Sequence, residues 1–191
     1  MLYFYKNDAK IYMYQCVMRV GDHMGAQSSE KAFRLVEMLR ENRLTIAAAE
    51  SLTGGMISGM ITSVPGASEI IELGICSYSN RIKHEILGVR QETLDEFTEY
   101  SHDTVREMAQ GVRRLSGADI GISTSGIAGP SGGAPDKPVG TVYIGVSSRL
   151  GTRSIISPPV GNEDREGVRL RAALAAIDLA SEELVRLINK G

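Results

Sequence analysis

Between Leu44 and Ile61 the chain passes from a short apolar run, Leu44-Thr45-Ile46-Ala47-Ala48-Ala49, through Glu50-Ser51-Leu52-Thr53-Gly54-Gly55, into helical periodicity from Met56 to Ile61. An apolar run of this length between polar residues reads as a buried strand, and paired glycines before an amphipathic segment read as a turn that opens a helix. A buried strand feeding a helix belongs in a sheet covered by helices, and the rest of the sequence repeats the pattern. A helix capped at Ser28-Ser29-Glu30 and running to about Asn42 precedes the first strand. The helix after Ser51 ends near Val64-Pro65-Gly66, and a second strand is expected over Ile70 to Tyr78. Helical segments follow over Asn80 to Leu87 and Glu92 to Phe97, and a longer one from its cap at Ser101 to Gly117. Ala118 to Thr124 reads as a third strand. Val139 to Ser147 and Arg153 to Ser157 read as an antiparallel pair, and a long helix from about Glu163 closes the chain. The expected architecture is α/β, a three-layer α/β/α sandwich with a mixed β-sheet, in one domain over residues 28–191 preceded by an N-terminal arm or extra strand over 1–27.

Composition narrows the function classes. With 42% hydrophobic residues, 23% charged residues and a formal net charge of -2 in 191 residues, the chain can bury a core but carries no basic field for nucleic acid. Aromatic residues make up 5% and Trp is absent, so stacking platforms for single strands are not evident. Cys16 and Cys76 lack the spacing of a zinc site or a disulfide scaffold, and a reducing cytoplasm is the expected compartment. His23, His84 and His102 form no ligand pair, so no metal is expected. Charges at Lys6, Asp8, Lys10 and Arg19 interrupt the tyrosine-rich N-terminal segment, which therefore reads as neither signal peptide nor membrane span. The expected partner is a small molecule, with no nucleic acid and no membrane; a homo-oligomer is left open.

Ligands of open α/β sheets gather at the carboxyl ends of strands, and Ser51, Tyr78 and the loop after Thr124 all fall there. Ser51 by itself is well explained as a helix cap. That is the better reading on local sequence alone, but the position also suits a nucleophile, because backbone amides and the positive end of a helix dipole would stabilise negative charge beside it. No Ser-His-Asp arrangement or GxSxG elbow surrounds it, so another base is needed. Lys83, at the start of the helix after the second strand, is the candidate, and it can act only if burial or neighbouring cations bring its pKa down toward neutrality. Tyr78 would orient the amine or relay its proton. Taken singly, Lys83 reads rather as a solvated helix residue and Tyr78 as a core tyrosine; with Ser51 they compose a Ser-Lys variant of the triad logic, used in acyl transfer from amides and esters. The Gly126 to Gly133 loop is either a flexible connection or a cradle of amides for a monophosphate, to which Ser125 would add a hydroxyl. It matches neither the P-loop nor the dinucleotide pattern, so no ATP or NAD cofactor is indicated.

Three ordered motifs, Ala49-Glu50-Ser51-Leu52-Thr53-Gly54-Gly55, Tyr78-Ser79-Asn80 with Lys83, and Ser125-Gly126-Ile127-Ala128-Gly129-Pro130 through Lys137-Pro138-Val139-Gly140-Thr141-Val142, resemble the CinA C-terminal family from about Lys31 to about Ile188. The resemblance implies a hydrolase that deamidates nicotinamide mononucleotide to nicotinate mononucleotide and ammonia in pyridine nucleotide salvage, without cofactor. It further implies Ser51 as nucleophile, Lys83 as base and Tyr78 as their partner. Thr53, Gly54 and Gly55 would lie on the substrate side of the turn, the two glycines offering amides near the oxyanion, and Ser125, Gly126, Gly129 and Arg165 would contact substrate. An arginine suits a ribose 5′-phosphate because its planar fork pairs with phosphate oxygens. The chain departs from the family pattern at Ser125, where Thr is usual, at Leu52, where Cys is common, and at Tyr100, where a small or aliphatic residue usually stands. These departures motivate an alternative, a nucleotide-binding or regulatory module of the same fold without catalysis. Longer family members carry an N-terminal domain associated with ADP-ribose pyrophosphatase activity, which is not expected of this chain.

Overall fold

The structure, a computed structural model, describes residues 26–161 and 163–190. The elements in chain order are α1 (Ala26–Asn42), β1 (Ile46–Glu50), α2 (Met56–Thr62), β2 (Ile71–Cys76), α3 (Asn80–Glu85), α4 (Gln91–Phe97), α5 (His102–Ser116), β3 (Ile120–Gly126), β4 (Val142–Ser148), β5 (Gly151–Ser157) and α6 (Arg165–Asn189). The strands form one five-stranded sheet in the order β2-β1-β3-β4-β5. β1 pairs in parallel with both β2 and β3, whereas β3/β4 and β4/β5 are antiparallel. The expected mixed sheet and its helical covering are therefore present.

The period of two along β1 assigns its side chains to two cores. Ile46 and Ala48 pack with α1, α2 and α6, while Ala47 and Ala49 face Leu87, Leu94, Met108 and Val112 on the other side. Small residues let α5 lie close to the sheet. A Cβ on Gly121 would stand 2.3 Å from the Ala109 carbonyl oxygen, and one on Gly145 2.3 Å from that of Val105. α5 is bounded as its sequence signals: the Ser101 side chain accepts from the Thr104 amide, and Gly117 adopts a left-handed φ of 77° at the C-cap.

Several boundaries differ from expectation, and two of the shifts matter for the site. α1 begins at Ala26, so Ser28 and Ser29 lie within it rather than capping it. β2 ends at Cys76, which leaves Tyr78 beyond the strand. β3 extends through Gly126, so Ser125 and Gly126 belong to the sheet and not to the loop. The arm expected over 1–27, with Cys16 and His23, lies outside the described residues except for its last two positions. Among the described residues no helix is long and apolar enough to cross a membrane.

Candidate active site

Parallel pairing aligns the carboxyl ends of the three left-hand strands, with Glu50 opposite both Cys76 and Thr124. The ladder continues one step further, since the Ser51 amide donates to Thr124 O at 3.1 Å and the Ser77 amide to Glu50 O at 2.8 Å. Ser51 is thereby fixed at the central strand end, and only 6% of its surface is exposed.

Glu50 shares the parity of Ile46 and Ala48, so its side chain points toward α2. There its buried carboxylate accepts from the Gly55, Ile57 and Ser58 amides at 2.9, 3.1 and 2.9 Å and from the Ser58 hydroxyl at 2.7 Å. This corrects the expectation for Ser51: the N-cap of α2 is Gly55, at φ 95°, with no side-chain cap bond, and Glu50 satisfies the orphan amides. It also removes the expected oxyanion donors. The Gly55 amide is taken by Glu50, and the Gly54 amide donates to Ser51 O at 3.2 Å. The Leu52 amide, next to Ser51 in a residue that lines the cleft, has no acceptor among the described residues. That is the position from which nucleophile turns commonly supply an oxyanion donor.

α3 starts at the Ser79 cap, whose hydroxyl accepts from the Ile82 amide, and this brings Lys83 back over the strand ends. Lys83 is fully buried. Its amine donates to Ser77 O at 3.0 Å, Tyr78 O at 3.2 Å and Ser51 Oγ at 3.2 Å. Burial lowers its pKa to about 8, against the opposing pull of the Glu99 charge. The two carbonyls hold the nitrogen in place, and the third direction addresses the serine. Ser51 and Lys83 are therefore brought within hydrogen-bond reach, as a nucleophile and its base must be.

Tyr78 meets Lys83 differently from expectation. Its backbone carbonyl, not its phenol, contacts the amine, and the residue is 64% exposed. The phenol oxygen accepts from Arg165 Nη2 at 3.2 Å, while Nη1 of the same guanidinium donates to Gly129 O at 2.6 Å. Arg165 opens α6 directly after its Asp164 cap and so bridges the glycine loop to Tyr78.

These groups surround a cleft of about 200 Å³ lined by Ser51, Leu52, Tyr78, Lys83, Glu99, Tyr100, Arg165 and the segments Gly126–Gly129 and Ser131–Gly132. Ser51, Tyr78, Lys83, Gly126, Gly129 and Arg165 thus converge. Four expected residues do not line it. Thr53 is fully buried, with its hydroxyl 2.8 Å from that of Thr124. Gly54 and Gly55 lie behind the turn. Ser125 shares the strand parity of Gly121 and Ser123, and donates at 2.6 Å to Glu99 O on the α5 side. Two larger recesses, of about 730 and 500 Å³, lie elsewhere and include neither Ser51 nor Lys83. Among the described residues no group of three or more His, Cys, Asp or Glu could hold a metal ion.

Residues not singled out from sequence complete the site. Glu50 was signalled by a carboxylate ending an otherwise apolar strand just before a helix start. Arg169 lies one helical turn after Arg165 and clamps the Ser51 turn through Leu52 O at 3.1 Å and Thr53 O at 2.9 Å; its signal was the i,i+4 spacing. Glu99 enters the cleft from the segment before α5 and had no sequence signal.

The same chain matches the model of the CinA C-terminal domain over residues 5–184, a span that takes in most of the segment set apart above as an arm. A competence-damage inducible name is carried by a relative from Thermoanaerobacter pseudethanolicus, 42% identical over 167 residues, which are 87% of this chain and 40% of that protein. A CinA-like protein from Thermotoga maritima is 43% identical over 161 residues, 84% of this chain and 39% of the relative. The chain thus spans about two fifths of the length of these relatives. Among solved structures, a CinA superfamily protein from Klebsiella pneumoniae superposes with TM-score 0.78 at 31% identity, covering 83% of this chain and 98% of that one. A competence/damage inducible protein from Agrobacterium tumefaciens gives TM-score 0.75 at 34% identity, with coverage of 80% and 92%.

Proposed function

Because this chain belongs to the CinA C-terminal domain family, we propose that it is a metal-independent amidohydrolase that deamidates nicotinamide mononucleotide to nicotinate mononucleotide and ammonia. The observation that carries the reading is the buried Lys83 amine, 3.2 Å from Ser51 Oγ, with a pKa lowered to about 8. A lysine in that range is neutral often enough near physiological pH to accept the serine proton, and as an ammonium it can return it.

In the proposed reaction, Ser51 Oγ attacks the carboxamide carbon as its proton passes to Lys83 Nζ. The Leu52 amide faces the developing oxyanion. Collapse of the tetrahedral intermediate breaks the C–N bond, Lys83 gives its proton to the departing nitrogen, and ammonia leaves an acyl-enzyme ester on Ser51. Water, deprotonated by Lys83, then attacks the ester and restores the serine hydroxyl, releasing the carboxylic acid. The cleft, about 200 Å³, suits an aromatic carboxamide with its sugar phosphate at the mouth, where Arg165 has guanidinium donors to offer a phosphate.

Incubation with nicotinamide mononucleotide should release ammonia and nicotinate mononucleotide in equal amounts. Ser51→Ala and Lys83→Ala should each lower kcat by at least about 10³-fold, in line with loss of a nucleophile or its base. Unchanged turnover in either variant would overturn the mechanism. Binding of the nucleotide without ammonia release would replace the enzyme by the non-catalytic module.

A further inference from the structure

The cleft holds a charge that the reaction above does not use. Glu99 is the one carboxylate among its lining residues, and Tyr78 and Tyr100 line the same space. The segment is firmly held. Glu99 O accepts from the buried Ser125 hydroxyl at 2.6 Å, and Thr98 O accepts from Thr104 Oγ1 at 2.7 Å. Lys137 Nζ donates to Thr98 Oγ1 at 3.2 Å, and the Tyr100 amide reaches the same hydroxyl at 3.3 Å. Thr98 itself stands at φ 67° and ψ 172°, a backbone conformation almost confined to glycine that persists only where surrounding contacts enforce it. Glu99 and Tyr100 are thus presented to the cleft by a braced backbone. The Glu99 charge is felt there: it opposes the downward shift of Lys83, and after burial it is the next cause raising the Tyr100 phenol.

An acid in a cleft that must also admit a phosphate is unfavourable for binding unless the ligand brings a positive charge to it. The substrate class proposed above does so, because its carboxamide sits on an N-ribosylated, positively charged pyridinium ring. We propose that Glu99, with Tyr78 and Tyr100, forms the subsite for this cationic ring and makes the protein selective for pyridinium carboxamides over neutral isosteres. Carboxylate and aromatic neighbours are the groups that stabilise a weakly hydrated aromatic cation, while Arg165, held between the Tyr78 phenol and Gly129 O, is the cation left for the phosphate. The inference rests on the deamidase reading.

The test uses the full chain carrying Ser51→Ala, so that binding is measured without turnover. Nicotinamide mononucleotide is compared by calorimetry with its 1,4-dihydro form, which keeps carboxamide, ribose and phosphate but has a neutral ring. The cation should bind at least about tenfold more tightly, and adding Glu99→Gln should reduce that ratio to about threefold or less. Glu99→Gln also lowers the Lys83 pKa, and a less charged lysine favours the cation over the neutral form, so a reduced ratio reports the lost contact with the ring and not the lysine. Equal affinity for the two forms in Ser51→Ala, or a ratio unmoved by Glu99→Gln, overturns the proposal even where the unsubstituted protein deaminates nicotinamide mononucleotide. Absence of both ammonia release by the unsubstituted protein and binding by Ser51→Ala overturns the deamidase reading, and the subsite with it.

Discussion

Protonation of Lys83 gives the site a pH dependence whose position and sign follow from its burial. The amine is fully buried, and its pKa is lowered from the ordinary 10.5 to about 8 because desolvation disfavours the ammonium. If neutral Lys83 is the base, about a tenth of the protein is competent at pH 7 and about nine tenths at pH 9, so kcat/KM should rise about tenfold between them. The acid limb should have its midpoint at about 8. The same shift acts on stability. The folded-state value lies below the unfolded one, so folding carries a penalty of about 3 kcal/mol while the amine is charged. That penalty is complete below about pH 8 and is relieved as pH rises to the unfolded value of about 10.5, above which both states are neutral. Stability contributed through Lys83 therefore grows with pH across this window. The activity arm is an initial-rate profile from pH 6 to 9, with nicotinate mononucleotide quantified by chromatography. The stability arm compares urea denaturation of the unsubstituted protein and Lys83→Met at pH 7 and pH 9.5. A limb near 10, or a pH-dependent stability gain as large in Lys83→Met as in the unsubstituted protein, would refute a depressed lysine.

Removal of the Glu99 charge takes away the interaction that opposes desolvation of Lys83, so Glu99→Gln should move the acid limb of kcat/KM to lower pH; a limb that stays or rises contradicts the coupling. Glu50→Gln replaces one acceptor oxygen by a donor among three amides and a hydroxyl, and should cost about 2–3 kcal/mol, read from urea denaturation; an unchanged midpoint would show that the carboxylate is not the cap of α2. On the proposed mechanism, Arg169→Ala releases the Leu52 and Thr53 carbonyls and should lower kcat about tenfold or more with a smaller effect on KM, because the Ser51 turn loses its brace. Equal kcat in the two proteins would remove that role. Gly121→Ala forces a Cβ to 2.3 Å from the Ala109 carbonyl oxygen and should cost at least about 2 kcal/mol, seen as a lower Tm; an unaltered Tm would mean that α5 can lift from the sheet.

Ser51 and Lys83 were legible in the sequence because each is a chemistry-bearing residue just beyond the end of a recognisable apolar strand, and parallel strands bring such ends together. Gly126 at the last position of β3, Gly129 on the loop after it and Arg165 at the head of α6 reach the cleft as well. Thr53, Gly54 and Gly55 do not line it, because possession of the helix-start amides was settled by Glu50, whose side chain competes from the neighbouring position. Ser125 was misplaced by a strand boundary two residues too early: inside the strand, alternation turns its hydroxyl away from the cleft and onto Glu99 O. The phenol of Tyr78 was assigned to Lys83, yet the carbonyl of the same residue makes that contact while the ring bonds to a guanidinium 87 positions away.

By itself, the sequence determined the succession of elements, the mixed sheet and the end of it at which chemistry gathers. Those are consequences of period, capping and turn chemistry, which act over a few residues. Tertiary structure alone decided which amides are free, which atom of Tyr78 meets the amine, and that Glu99 shares the cleft. Each of these depends on distances between groups far apart in sequence, fixed by the packing of α3, α5 and α6 over the strand ends. The depressed pKa of Lys83 is of the same kind, because a lysine loses its water only when separate elements close around it.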